Sequence, residues 1–185
     1  MAGLAPHVDL WLVETTSSIA EMQVAADVAR GTAQPLWVSY TLADGIDRTG
    51  PPVLRSGEGI AAALAAARGW GAEAVLFNCS QAEATLSAIE VAMAVGGDIV
   101  GAYANAFLPE PAGGEVYAGI SELRGDLGPV AYRRLAAGWI AVGASAVGGC
   151  CGIGAAHIAE LRRWLDATAS DVNPKSADPQ FLEMS

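Results

Sequence analysis

Val147-Gly148-Gly149-Cys150-Cys151-Gly152 sits between a short apolar run, Ala144 to Val147, and a stretch of helical periodicity that opens at Ala155. It holds two of the three cysteines, and the third, Cys79, follows Leu76-Phe77-Asn78 in the same kind of context. In a regular strand Cys150 and Cys151 point to opposite faces. Glycine at 148, 149 and 152 relaxes that constraint, because it permits backbone conformations that bring both side chains to one side. Two readings are open: small buried residues beside a tight turn, or soft ligands for a metal ion.

Working outward, the same strand-then-helix unit repeats along the chain. Asp9 to Val13 is a short apolar run ending in Glu14-Thr15. Ser18 stands three residues before Glu21, a capping-box spacing, and Ile19, Met22, Val24, Ala25 and Val28 form a stripe that stops at Gly31. Strands follow at Pro35–Leu42, Ala74–Phe77, Asp98–Tyr103 and Ala144–Val147, with helices at Glu58–Arg68, Gln81–Val95, Pro129–Val142 and Ala155–Ala167. Two Pro- and Gly-bearing segments, 44–56 and 109–128, read as long loops. Five strand–helix units without a hairpin signal predict a parallel sheet with right-handed crossovers. Either an open doubly wound sheet or part of a (β/α)₈ barrel satisfies that pattern, and both place ligands at the C-terminal strand ends. Glu14-Thr15, Ser39, Asn78-Cys79, Asn105 and Gly149-Cys150-Cys151 all fall on that edge.

Composition narrows the partners. The 185 residues are 52% hydrophobic and 16% charged, as expected of a packed α/β chain. A net charge of −10 argues against nucleic acid and anionic membranes, which select clustered Lys and Arg. Residues 1–8 lack the pattern of a signal peptide, and no run nears the roughly 20 apolar residues of a membrane span. The cytosol is the expected compartment. There an odd number of cysteines reads as free thiols or thiolate ligands, and a bridge between adjacent Cys150 and Cys151 would be strained.

Three protein ligands plus an open fourth position is the arrangement of a catalytic zinc site. A zinc held by three thiolates is a poor activator of water. It suits a fourth, exchangeable thiol, whose pKa falls on binding while the sulfur stays nucleophilic. That chemistry points to alkyl transfer onto a thiol and away from hydrolysis.

Asn78-Cys79-Ser80, Gly148-Gly149-Cys150-Cys151-Gly152 and His157-Ile158 together resemble the homocysteine S-methyltransferase family. Asp9 through Glu14-Thr15, Trp37-Val38-Ser39-Tyr40, Leu54-Arg55-Ser56-Gly57-Glu58 and Tyr103-Ala104-Asn105 extend the resemblance in family order to the closing helix. The resemblance implies a (β/α)₈ barrel in which Cys79, Cys150 and Cys151 hold Zn²⁺. Homocysteine would be methylated to methionine by a sulfonium or ammonium donor such as S-methylmethionine, S-adenosylmethionine or betaine. Glu14 matches the residue that holds the amino group of homocysteine, and Asn105 matches a position near the substrate pocket.

Only five of eight βα units are counted, so the expected fold is a partial (β/α)₈ barrel over residues 1–169, its first three strands missing. Residues 170–185, polar with two prolines, are expected to form a mobile tail. Open barrel edges predict self-association or a partner chain. Two other functions fit the residues: a catalytically incomplete remnant serving as a zinc-stabilised interaction module, and an open-sheet enzyme with Cys79 as nucleophile. His157, in the first turn of the last helix, is expected to pack or cap and not to ligate.

Overall fold

The structure is a computed structural model and describes residues 3–44, 49–108 and 122–171, with side chains through 168. Five strands, β1 (Trp11–Thr16), β2 (Leu36–Tyr40), β3 (Ala74–Gln81), β4 (Val100–Asn105) and β5 (Ala146–Val147), alternate with five helices. The helices are α1 (Ile19–Ala29), α2 (Ile60–Gly69), α3 (Ala82–Ala94), α4 (Pro129–Ala141) and α5 (Ala155–Asp171). The strands lie side by side in chain order, every pairing parallel. This is the arc of a (β/α) barrel, as the sequence predicts. A doubly wound sheet would reverse its strand order at a switch point, and no reversal occurs here.

Alternation along the strands divides the sheet into two faces. Val38, Val75 and Val100 share one row, and Tyr40, Phe77 and Ala102 the next. All six belong to the hydrophobic core formed with the helices. Trp139 and Tyr132 of α4 anchor that core in an edge-to-face contact with centroids 5.7 Å apart. The opposite face carries Leu12 and Trp37 in one row, Ser39 and Leu76 in the next, and Asn78 and Tyr103 in the third. Leu12 there is 40% exposed, and neither Leu12 nor Trp37 belongs to the core, whereas Leu76 is buried. In a closed barrel this second face is the interior. Among the described residues β1 pairs only with β2 and β5 only with β4, so both sheet edges are open.

Two expectations need correction. The α1 stripe buries Met22, Ala26 and Ala29, whereas Val24 and Val28 are 70% and 55% exposed. Small alanines at helical spacing let the helix lie close on the sheet, and that contact decides which face turns inward. The segment after β2 is also more ordered than a plain loop. Antiparallel bridges Leu42–Leu54 and Val53–Gly59 close it, with Leu42 and Leu54 buried. Residues 45–48 of that segment, 109–121 of the second predicted loop and 172–185 of the predicted tail lie outside the described residues; Ser170 and Asp171 continue α5. Among the described residues no helix is long and apolar enough to cross a membrane.

Candidate metal centre

The Gly148–Cys151 segment continues the β4–β5 pairing past the two residues of β5. Gly148 and Cys150 donate backbone N–H groups to Ala102 and Ala104, and Ala106 donates to Cys151. The buried Tyr132 hydroxyl donates to the Gly148 carbonyl at 2.7 Å and accepts from the Ala104 N–H at 3.1 Å, tying α4 to both strands. The glycines are sterically required at two points. A Cβ on Gly149 would fall 2.1 Å from the Ile153 side chain. Gly152 has φ +78°, and a Cβ there would lie 2.5 Å from Leu123.

Cys79 enters from the end of β3. It is one of two non-glycine residues with positive φ among those described, at +48°; the other is Thr15, at +64°. The three sulfurs converge: Cys79 and Cys151 are 3.9 Å apart, Cys150 and Cys151 3.8 Å, and all three lie within 4.8 Å of one another. Four ligands arranged tetrahedrally at about 2.3 Å from zinc are separated by about 3.8 Å, so the observed spacing fits a zinc-sized centre. Cys79 and Cys150 are half-buried, while Cys151 is exposed, which leaves the centre open on one side.

Crowded thiols cannot all ionise without a cation. The Cys150 thiol is lowered to about 5, chiefly by a hydrogen bond from Cys79, with further help from the Cys151 backbone and thiol and from Asn78. Cys79 is pushed up, first by that same hydrogen bond, then by burial and neighbouring charge. Burial, followed by the Cys150 charge, also raises Cys151.

Glu14 lies exposed at the end of β1 and accepts a hydrogen bond from the Tyr103 hydroxyl at 3.1 Å. Asn105 ends β4, but its Oδ1 is taken up locally by the Phe107 N–H at 3.2 Å. His157 accepts from the Gly154 N–H through Nδ1, and its Nε2 lies 3.0 Å from the Leu127 carbonyl oxygen. With its ring edge-on to Tyr132, it packs and caps as expected. Tyr103 and Asn78 were not expected to have roles. The signal available for both was strand parity, since Tyr103 pairs with Asn78 on the face that also carries Glu14 and Ser39.

The profile of the homocysteine S-methyltransferase family matches residues 1–165. The chain belongs to the homocysteine S-methyltransferase family. Its fold is similar to that of the homocysteine methyltransferase MmuM from Escherichia coli, solved in apo, oxidised and metallated forms. Against the apo form the TM-score is 0.64 at 23% identity, covering 86% of this chain and 51% of that one. The metallated form gives 0.64 and 23%, covering 88% and 47%. This family member thus spans about half the length of the solved relatives it matches. No curated protein sequence matches the chain.

Proposed function

We propose that the chain carries the metal half of a homocysteine methyltransferase site, with Cys79, Cys150 and Cys151 as the ligands of Zn²⁺. The observation that carries this reading is three thiols within 4.8 Å on the strand edge that also presents Glu14. When bound there, zinc lowers the pKa of a thiol that joins the three cysteines, and so supplies a nucleophilic sulfur at neutral pH. Glu14 takes the ammonium group of homocysteine, its carboxylate oriented by Tyr103. Asn105 shapes the same edge from β4. The homocysteine sulfur attacks the methyl carbon of a sulfonium or ammonium donor and a C–S bond forms. The donor's bond to that carbon breaks with its electron pair, leaving a neutral thioether or amine, and the thiol proton goes to solvent.

The domain responsible is residues 1–169. Its open edges and half-covered second sheet face call for a covering surface, either a second copy or a chain that completes the barrel. Three unpaired thiols suit a reducing compartment such as the cytosol. The test is metal content by elemental analysis, alongside methionine formation from homocysteine and S-methylmethionine. One zinc per chain with turnover supports the reading. Absence of stoichiometric metal overturns the centre, and stoichiometric metal without methionine, even when the barrel is completed, overturns the reaction.

A further inference from the structure

Thr15 and Cys79 adopt the left-handed backbone region, which disfavours side chains larger than glycine and persists only where the surroundings enforce it. The sheet register is irregular at both places, between Val13 and Thr16 in β1 and between Asn78 and Gln81 in β3. Each irregularity aims a functional side chain: Glu14 precedes Thr15, and Cys79 lies within the second. One side chain joins them. Asn78 is fully buried, and its Oδ1 accepts from the Thr15 N–H at 3.1 Å and from the Ser39 hydroxyl at 2.8 Å. Its Nδ2 donates to the Thr15 hydroxyl at 2.7 Å. A carboxamide offers two acceptor positions and two donor hydrogens; both acceptor positions and one donor are used here, joining the ends of β1 and β2 to β3.

We propose that Asn78 is the positioning residue of this site, clamping the β1, β2 and β3 ends so that Cys79 meets the other two thiols and Glu14 keeps a fixed distance from them. The inference rests on the zinc-centre reading given above. The clamp acts through the backbone it holds: without it, Thr15 and Cys79 relax toward ordinary φ, Cys79 turns away from Cys150 and Cys151, and Glu14 swings with β1.

Cobalt(II) substitution into the full chain tests this, because thiolate-to-cobalt charge-transfer absorbance reports how many sulfurs coordinate. Asn78→Ala is expected to lower cobalt affinity about tenfold or more and to reduce the charge-transfer absorbance per bound cobalt by about one third, the share of one of three thiolates. The homocysteine concentration that perturbs the cobalt spectrum should also rise. Asn78→Asp keeps an acceptor for Thr15 and Ser39 and can accept from the Thr15 hydroxyl, so it should restore the three-thiolate spectrum. A folded Asn78→Ala protein with wild-type affinity and spectrum overturns the proposal, as does Asn78→Asp failing to restore the spectrum. If Asn78→Ala does not fold, Ser39→Ala replaces it; an unchanged cobalt site there overturns the clamp. A wild-type chain that binds no cobalt overturns the underlying centre, an outcome distinct from a defect confined to the variants.

Discussion

At the scale of single residues, the centre is defined by which thiols carry protons. Cys150 is held at about 5 and is a thiolate at neutral pH, whereas Cys79 and Cys151 are raised and keep their protons. Metal ligation requires three thiolates, so binding at pH 7.5 should release about two protons. Affinity then rises with pH until those two groups ionise. Calorimetry in buffers of different ionisation enthalpy checks the number, and a release near three or near zero would contradict the assignment. Cys79→Ala, Cys150→Ala and Cys151→Ala should each weaken metal binding severely, as measured by competition with a chelator. The cysteines stood out in the sequence because there are only three and they follow apolar runs, whereas Glu14, one of 20 acidic residues, was singled out by the family resemblance alone. Asn78 falls on the polar strand edge and Tyr103 within a family motif, but the sequence assigns neither a role. The contact from Asn78 to Thr15 spans 63 residues, and that from Tyr103 to Glu14 spans 89, distances over which spacing carries no information.

At the scale of elements, the apolar runs located every strand but ended several too early. β1 continues to Thr16, β3 to Gln81 and β4 to Asn105, past the predicted ends at Val13, Phe77 and Tyr103. Most of the extra residues are polar, Glu14, Asn78 and Asn105 among them, so the polar strand ends that carry the candidate site residues are those that hide the strand. Helix α1 shows the opposite error, since large apolar residues were assigned inward when alanines made the contact. Met22→Ala should cost about 2–5 kcal/mol, and Val24→Ala no more than about 0.5 kcal/mol, both measured by urea denaturation. Equal costs would mean that α1 is rotated from its described position. The capping spacing at Ser18 is borne out in part. Ser18 accepts from the Glu21 N–H at 3.1 Å, but the Glu21 carboxylate reaches back to the Ser17 N–H and not to that of Ser18. Glu58 takes the Ile19 N–H instead, at 2.9 Å, joining the start of α1 to the segment before α2.

For the whole molecule, the open β1 and β5 edges and the half-covered second face are the dominant features. Unpaired parallel edges template association, and Leu12, 40% exposed, adds an apolar surface beside one of them. Size-exclusion chromatography with light scattering should therefore find a species larger than the 18.8 kDa chain, with a monomer fraction that grows on dilution. A stable monomer at micromolar concentration would contradict this. The family and the arc of the barrel were legible because each βα unit is local. The covering surface was not, because nothing within a unit specifies what pairs with the outermost strands.

The in-order strand sequence also has a consequence for timing. Cys79 and Cys151 are 72 residues apart, and the two-residue β5 that leads to the Cys150–Cys151 pair is the last strand described. At about 5–20 residues per second of synthesis, Cys79 waits roughly 4–14 s before its partners leave the ribosome. During that interval it is a lone thiol on a growing sheet, exposed to oxidants and to any passing soft cation. Thiol labelling of chains stalled before residue 150 should find Cys79 reactive, and chains completed with metal present should find it protected.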